Sequence, residues 1–372
     1  MKIAIDALGI SQPGGGRTAT LNLLTALIQL DHKNEYLVFL DEPEPALKGP
    51  NVRQLPVGIR GRFAARLWAQ MALPAALRRE TVDLVHHTKN LGTFLTPGRT
   101  VVTVYDLSVL SQPEIYPHSD GLYWRWIEPV TLRQAHRIIA ISHSTADDIA
   151  AYYGIDLSKV DVIYPGYDPA FRPLPSSATA AVRQRYKLPD RFLLHVGSIS
   201  RKKNLAPVVR AMSKLRLADP SAKLVLVGRV YGKAFDHELF QLVQEQAIAG
   251  QVILLGPIPA EDLPAIYNCA TALVYPSLQE GFGLVALESM ACGIPVITSG
   301  SGAIGEVVDD AAITVTDASD ANEWSMAMER LLGDRESQAR LRSAGLSRAS
   351  RFSTTECARQ TLSVYERVMG AS

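Results

Sequence analysis

The segment "SLQEGFGLVALESMACGIPVIT", residues 277–298, decides the fold class and locates the most informative residues of the chain. Its apolar spacing predicts a helix that begins near Gly283 and ends at Gly293. No Ser, Thr, Asp or Asn precedes this helix as a cap. The amides of residues 281–283 therefore lie at the positive end of a helix without side-chain partners, which predicts a site for an anion such as a phosphate.

Two carboxylates, Glu280 and Glu288, lie eight positions apart across this turn. Glu288 is expected one to two turns into the helix, where it can accept hydrogen bonds from a neutral diol such as a ribose. Such bonds contribute about 1.5–3 kcal/mol. The alternative is that Gly281 and Gly283 only form a turn and that Glu288 faces solvent.

The composition is that of a globular protein without an electrostatic preference for nucleic acid. The 372 residues are 47% hydrophobic and 20% charged, and 38 Lys and Arg against 37 Asp and Glu leave a net charge of +1. This length suits two domains. Three cysteines at 269, 292 and 357 are expected to be buried thiols in a reducing compartment.

The start of the sequence, "MKIAIDALGI", lacks the apolar length of a signal peptide and predicts a first strand. No segment approaches ~20 consecutive apolar residues, so we expect no transmembrane helix and a cytoplasmic location.

Apolar β-branched runs alternate with helical patterns such as Thr18–Leu30, which predicts parallel sheets with helices on both faces. The segment Asp168–Ala181 is rich in Pro, Ser and Ala and is interpreted as the connection between two α/β halves. Ligands of such sheets bind beyond the carboxyl ends of the strands. We therefore expect two facing Rossmann-like domains with a ligand site in the cleft between them.

Two other segments contain residues that could bind a diphosphate. The segment "VGSISRKKNL", residues 196–205, follows a predicted strand and carries Arg201, Lys202 and Lys203. A basic triplet is more often a solvated loop, but its position in the same half as the two glutamates favours binding. The segment "GISQPGGGRTATLNLL", residues 9–24, places glycines before a helix, where amides can approach a phosphate or sugar.

The same glycine segment fits a G-x-G-x-x-A pattern, and Asp41 and Glu42 follow the next strand. An NAD-dependent dehydrogenase is therefore an alternative. The match is weak because Ala7–Pro13 separate the first glycine from the strand.

Tyr105 and Asp106 end a predicted strand of the first half and point toward the expected cleft. A buried Asp that bonds local backbone is an equally weighted alternative. The histidines at 86, 87, 118, 136 and 143 show no zinc-binding spacing. No two aspartates stand two positions apart, so a D-x-D pair that would hold a metal on a diphosphate is absent. We expect no cofactor and assign the cationic role to lysine and arginine.

The segment Arg60–Glu80 combines five arginines with Phe63, Leu67, Trp68 and Met71. A basic amphipathic helix of this kind can lie on an anionic membrane surface at the inner face of the membrane. More often such a helix packs its apolar stripe on its own domain.

These residues together carry a family resemblance. The segment "PSLQEGFGLVALESMACGIPVITS", residues 276–299, closely resembles the E-x7-E signature of the retaining nucleotide-sugar glycosyltransferases of family 4, which have the GT-B fold. The resemblance extends over nearly the whole chain. The segment "RFSTTECARQTLSVYERV", residues 351–368, resembles the helix that crosses back to the first domain, although Thr354 replaces the usual aromatic residue.

The resemblance implies two domains and a role for each matching position. Residues 1–167 with 354–372 would form the acceptor-side domain, and residues 168–353 the domain that binds the sugar donor. Glu288 would hold the ribose, Glu280 would lie near the sugar, and Lys203 would bind phosphate. Further contacts to the sugar donor are implied for Gly15, Gly16, Pro257, Ile258, Gly281, Phe282, Gly283, Leu284 and Val285.

Two departures from the family pattern matter. Members commonly have Arg-Lys-Asn where this chain has Lys202-Lys203-Asn204, and lysine lacks the bidentate fork unless Arg201 substitutes. Many members carry His at the position of Tyr105, which puts a histidine role at the sugar in doubt. The candidate catalytic set is Glu280, Lys203, Lys202, Asp106 and Tyr105.

The resemblance implies transfer of a hexose, mannose or glucose, from a GDP- or UDP-sugar to a hydroxyl of a glycan, lipid-linked or small-molecule acceptor. Configuration would be retained and no metal required. The alternatives are a sugar-nucleotide epimerase or phosphorylase on the same scaffold, the dehydrogenase, and a non-catalytic nucleotide-sugar sensor.

Overall fold

A computed structural model describes residues 1–11, 14–59, 61–90, 92–113, 121, 124–230 and 233–370. The chain separates into two compact units. The first comprises Met1–Tyr167 and Phe352–Ser372, and the second comprises Asp168–Arg351. Arg60, Pro13 and His118, which belong to segments discussed above, lie outside the described residues.

The first unit contains a parallel sheet of seven described strands in the order β3-β2-β1-β4-β5-β6-β7. Most of these strands are short apolar runs buried on both faces, as parallel sheets require. Their bounds are β1 Lys2–Asp6, β2 Glu35–Leu40, β3 Val52–Pro56, β4 Leu84–His87, β5 Arg99–Val104, β6 Arg137–Ala140 and β7 Val160–Val162.

Helices flank this sheet. They span Gly15–Leu30, Arg62–Met71, Leu73–Glu80, Ser108–Ser111, Glu128–Gln134, His143–Tyr153 and Thr354–Gly370, and a 3₁₀ turn spans Leu157–Lys159. The last helix packs against Gly15–Leu30, with Ala358 and Tyr365 fully buried. Its start passes close to Gly166, where a Cβ would lie 2.2 Å from the backbone nitrogen of Thr354. The C-terminal helix thus belongs to the first unit.

The second unit contains a parallel sheet of six described strands in the order β10-β9-β8-β11-β12-β13. Their bounds are β8 Leu193–Val196, β9 Leu224–Val227, β10 Val252–Gly256, β11 Ala272–Tyr275, β12 Val296–Thr298 and β13 Ile313–Thr314. Its helices span Ser176–Arg185, Leu205–Ala218, Lys233–Glu245, Leu263–Cys269, Leu284–Ala291, Ala303–Val308, Ala321–Gly333 and Arg335–Ala349, and a 3₁₀ turn spans Arg201–Lys203. Both units are therefore α/β and Rossmann-like, as the sequence predicted.

The connecting segment is shorter than the sequence suggested. Asp168–Ala181 was expected to be irregular, but a helix begins at Ser176 directly after Pro175. The run of Ala and Ser that follows has adequate helix propensity, and Thr179 and Val182 are buried as the helix packs on Leu263–Cys269. Tertiary packing supplies the buried face that the weak periodicity did not reveal.

Among the described residues, none of the helices combines the length and apolar character needed to cross a membrane.

Candidate functional site

The strand order of the second sheet creates a switch point between β8 and β11. The chain runs outward from β8 through β9 and β10, and then returns to place β11 on the other side of β8. The connections on the two sides leave in opposite directions, which opens a crevice at the carboxyl ends of these two strands. Lys203 lies beyond β8 and Glu280 lies beyond β11, so both reach this crevice.

Lys203 and Glu280 form an ion pair at the switch point. The Lys203 ammonium contacts Oε1 of Glu280, and the two side chains are 12% and 14% exposed. The same ammonium lies 5.4 Å from the centroid of the Tyr275 ring. The Leu278 amide donates to the Lys202 carbonyl at 3.4 Å, which joins the loops after β8 and β11. The cation is therefore held in place but remains partly open to solvent.

The electrostatics of the pair keep Glu280 ionised. Burial alone would raise the pKa of Glu280, but the charges of Lys203 and Lys202 outweigh it and lower this pKa. His195 lies near the pair, and its Nδ1 is 3.2 Å from the Val274 carbonyl oxygen. Burial and the Lys203 charge lower the pKa of His195 to about 4, so this ring is neutral.

The three basic residues of the 3₁₀ turn have different surroundings. Arg201 pairs with Glu238 at 2.6 Å, and these side chains are 65% and 52% exposed. Lys202 is close enough to lower the pKa of Glu280. Lys203 is the most enclosed ion-pair partner of the turn. Arg201 is thus directed to a surface partner, which weakens the idea that it substitutes for the missing arginine.

The helix after Glu280 begins without a side-chain cap, as the sequence predicted. Gly283 is its N-cap, with φ of 108°, and no acidic residue occupies the first turn of Leu284–Ala291. This φ lies in a region that favours glycine, so the sharp entry depends on that residue. The first-turn amides, including those of Leu284 and Val285, carry the positive end of the helix dipole. Gly281 and Phe282 precede this turn and are buried.

Glu288 lies in the second turn of the same helix and is 7% exposed. Its Oε2 accepts a hydrogen bond from the Tyr267 hydroxyl at 2.9 Å. Burial is the main cause that raises the pKa of Glu288 to about 8, and the nearby Asp168 raises it further. Tyr267 is itself positioned by an edge contact with Phe171, with ring centroids 5.6 Å apart. The solvent-facing alternative for Glu288 is therefore wrong.

Pro257 and Ile258 lie beyond the carboxyl end of β10, two strands from β8 in the sheet. Pro257 is exposed and Ile258 is half-buried. They lie on the same edge of the sheet as Lys203 and Glu280.

In the first unit, three predicted residues meet at one cavity. Gly16, Tyr105 and Asp106 line a space of about 320 Å³. The helix that contains Gly15 and Gly16 begins at Gly15 without a side-chain cap, three residues earlier than the predicted start at Thr18. Among the described residues, apart from the sequence neighbours of the two glycines and the backbone of their own helix, no heavy atom lies within 4 Å of a Cβ built on either glycine, which leaves their backbone approachable.

Local hydrogen bonds fix the segment that follows β5. Asp106 Oδ1 accepts from the Ser108 amide at 3.0 Å, which is the local role considered for this residue. The Tyr105 hydroxyl lies 2.7 Å from Thr20 Oγ1. Asn90 accepts from the Tyr105 amide at 2.7 Å and donates to the Asp106 carbonyl at 2.7 Å. Asp106 therefore both caps its own loop and faces the cavity.

The sequence alone did not single out several residues of these sites. Lys89 and Asn90, which line the cavity, directly follow β4, and polar residues after a central strand were an available signal. His195 directly precedes the segment of residues 196–205, whereas Tyr267, Trp124 and Glu128 lie outside the segments discussed above. The roles of all four emerge only from packing.

No group of three or more His, Cys, Asp or Glu residues in the described ranges could hold a metal ion. The three cysteines are free thiols and are buried.

Comparisons with known proteins agree with this architecture. Residues 13–171 match the family model described as Glycosyltransferase Family 4, and residues 179–348 match the model described as Glycosyl transferases group 1. The structure of Anabaena HepE in complex with UDP and glucose has a TM-score of 0.79 and 19% identity, and the match covers 98% of this chain and 99% of that one. This likeness shows a shared fold.

Two similar proteins carry the names of specific glycosyltransferases. O-antigen chain mannosyltransferase B of Escherichia coli is 29% identical over 77% of this chain and 75% of its own length. D-inositol 3-phosphate glycosyltransferase of Salinispora arenicola is 32% identical over 66% of this chain, which spans 57% of that relative. These matches leave the dehydrogenase alternative without support. The chain is therefore a glycosyltransferase with the GT-B fold, built from a family 4-like domain and a group 1-like domain.

Proposed function

We propose that the protein transfers a hexosyl group from a nucleoside-diphosphate sugar to a hydroxyl group, with the sugar donor bound in the second unit. The observation that carries this proposal is the Lys203–Glu280 ion pair at the switch point, beside an uncapped helix start at Gly283. A cation and free amides at one strand edge suit a diphosphate.

The chemistry that this arrangement supports is assisted departure of the nucleoside diphosphate. Negative charge grows on the leaving phosphate as the glycosidic bond breaks, and groups already oriented toward it stabilise the transition state. Lys203, Lys202 and the amides of Leu284 and Val285 supply that stabilisation. We propose that their charge makes a resident metal ion unnecessary, so activity should persist in EDTA.

We assign Glu280 to the hydroxyls of the transferred sugar rather than to nucleophilic attack. One of its oxygens is committed to Lys203, and its lowered pKa keeps it an acceptor at neutral pH. The acceptor hydroxyl would then attack from the face that the leaving group vacates, with retention of configuration. An NMR spectrum of the first-formed product would test this stereochemistry. A retained anomeric configuration is expected, and an inverted anomeric signal would contradict the proposal.

Glu288 is assigned to the ribose. Tyr267 is its recorded hydrogen-bond partner in the described residues, which leaves acceptor capacity for a diol. Pro257 and Ile258 are assigned to framing the base, and Gly15 and Gly16 to a backbone contact with the sugar donor.

The transferred sugar is proposed to be mannose, in view of the Escherichia coli relative named as a mannosyltransferase. Glucose from UDP-glucose is the second possibility. A thermal-shift panel of GDP-mannose, UDP-glucose and ADP-glucose would identify the sugar donor, because ligand at 100 Kd adds about 2.7 kcal/mol to the free energy of unfolding. Stabilisation by none of the three would contradict the proposal. Donor consumed without transfer to any acceptor would instead favour an epimerase or a phosphorylase, and donor bound without turnover would favour a sensor.

We also propose a cytoplasmic protein with peripheral membrane contact through the helix Arg62–Met71. Leu67 and Met71 on this helix are 55% and 75% exposed, whereas Trp68 packs near Phe39 with ring centroids 6.2 Å apart. Apolar side chains that face solvent on a basic helix suit an anionic lipid surface. Co-sedimentation with acidic vesicles, but not with neutral ones, is expected. Loss of binding in Leu67→Ser/Met71→Ser would locate the contact, and no binding to acidic vesicles would end the idea.

A further inference from the structure

The cavity in the first unit combines an apolar wall with polar groups. Leu107, Val109, Leu110 and the Trp124 ring supply the apolar surface. Lys89, Asn90, Asp106 and Glu128 supply the polar groups. An apolar pocket with a few convergent polar groups is the usual form of a small-molecule site. Because the lining contains one ammonium group and one aspartate, its charge does not favour a phosphate, and an uncharged polyol fits better.

Glu128 is the unusual member of this lining. It is the first residue of the helix Glu128–Gln134 and is 0% exposed. Its Oε2 accepts a hydrogen bond from the Tyr153 hydroxyl at 2.6 Å. Its Oε1 is buried and has no hydrogen-bond partner within the part of the chain that the structure describes. Asn90 donates to the Asp106 carbonyl, and its side chain also lies close enough to Glu128 to lower the pKa of this carboxyl. A buried carboxyl oxygen without a hydrogen-bond partner destabilises the folded state, so its presence here indicates that a ligand can bind to it.

The surroundings of Glu128 determine its protonation. Burial raises the pKa of this carboxyl well above its usual value, and the Asp106 charge raises it further, against the opposing effect of Tyr153. The Tyr153 hydroxyl lies 2.6 Å from Oε2 and 3.1 Å from the Trp124 carbonyl oxygen. With Oε2 engaged in this way, Oε1 is the oxygen of the neutral carboxyl that can form a hydrogen bond with a ligand in the cavity.

We propose that Glu128 is a specificity-determining residue for the acceptor, whose uncharged sugar or cyclitol ring binds in this cavity and forms a hydrogen bond with Oε1 of Glu128. The inference rests on the proposed transfer function, because it assumes a hydroxyl-bearing acceptor. Trp124 would cover the apolar face of the ring, and Asn90 and Asp106 would hold the backbone that lines the opposite side.

The test uses the full chain and three uncharged probes, methyl α-D-mannopyranoside, methyl α-D-glucopyranoside and myo-inositol. Binding is measured by ligand-observed NMR for the parent, Glu128→Gln, Glu128→Leu and Tyr153→Phe. Glu128→Leu should weaken binding of at least one probe by about 10-fold or more, because one hydrogen bond is lost. Glu128→Gln keeps a donor at this position and should weaken it less. Tyr153→Phe removes the hydroxyl that contacts Oε2 and the Trp124 carbonyl oxygen but keeps the carboxyl of Glu128, and it serves as the structural control.

A spectroscopic measurement separates recognition from a merely structural role. In the difference spectrum between the parent and Glu128→Gln, where the band of the protonated Glu288 cancels, the infrared carbonyl band of Glu128 should remain, and it should shift when the bound probe is added. No binding of any probe to the parent, equal loss in Tyr153→Phe and Glu128→Leu, or a band that the probe leaves unmoved would each overturn the proposal. Binding of UDP or GDP to the same variants tests the proposed function separately, because its residues lie in the second unit.

Discussion

The switch points of the two sheets share a topology but differ in chemistry. In the first sheet, β1 and β4 end in Asp6 and His87, which bond to each other at 2.9 Å and are 9% and 0% exposed. In the second sheet, β8 and β11 lead to Lys203 and Glu280, which remain partly open to solvent. The cavity of the first unit is lined by residues that follow β4 and β5. The strand order thus determines where a crevice can form, and the side chains that follow the strands determine whether it can bind an anion.

The largest expected effect comes from removing the cation at the second switch point. Lys203→Ala should lower turnover by about 10²–10³, equivalent to ~2.7–4 kcal/mol, which is typical for loss of one charge-stabilising group. Steady-state kinetics with a saturating sugar donor measures the effect. Lys223→Ala is the matched control, since Lys223 precedes β9 at the opposite edge of the same sheet and bonds the Gly250 carbonyl. Equal activity of the Lys203 variant and the parent would refute the assignment.

The second prediction concerns Glu288, the buried carboxyl of the same unit. Glu288→Ala should weaken binding of the nucleotide by about 10- to 100-fold, because it removes hydrogen bonds worth ~1.5–3 kcal/mol. The change should appear in the Kd for UDP or GDP more than in turnover, as calorimetry and kinetics would show. A normal Kd in the variant would place the ribose elsewhere.

The third prediction is a pH dependence. The pKa of Glu288 in the folded protein, about 8, exceeds that of the unfolded chain. The folded state therefore holds a proton that the unfolded state has released, and this group makes stability fall as pH rises from about 4.5 to 8. A ribose diol donates to the ionised form. Nucleotide affinity should then rise toward pH 8, with proton release on binding.

Glu288→Gln provides the control for this pH effect. The variant should lose the proton release due to residue 288 but keep that of the phosphates, and calorimetry in buffers of different ionisation enthalpy separates the two. Identical proton release in both proteins would show that Glu288 does not titrate on binding.

The smallest expected effect belongs to Arg201. Its pair with Glu238 is exposed, and such pairs contribute ~0–1 kcal/mol. Arg201→Ala should therefore lower turnover by about fivefold or less. A loss as large as that of Lys203→Ala would show that Arg201 leaves Glu238 to bind the diphosphate.

Most of the second unit could be predicted from sequence because its signals are local. The uncapped helix at Gly283 and the strands on either side follow from apolar spacing and the position of glycines. Strand β3, Val52–Pro56, gave no such signal, because it lies at the sheet edge and is largely polar and partly exposed. Apolar spacing did not reveal the helix that begins at Ser176, because only Thr179 and Val182 of this helix are buried.

The site residues differ in the same respect, since some have a local sequence signal and others do not. Lys203, Glu280 and Gly283 follow strands directly, so sequence position could reveal them. Glu128 and Tyr267 meet their partners Tyr153 and Glu288 only through tertiary packing, across 25 and 21 positions of sequence. Burial, which controls the pKa of both carboxyls, is a property of the fold and has no signature in a short motif.

A crystal structure of the protein with GDP or UDP would test the central claim most directly. The diphosphate is expected at the first-turn amides of Leu284–Ala291, within hydrogen-bond distance of the Lys203 ammonium, with the ribose hydroxyls on Glu288. A nucleotide bound elsewhere, with Lys203 and Glu288 unmoved and uncontacted, would contradict it.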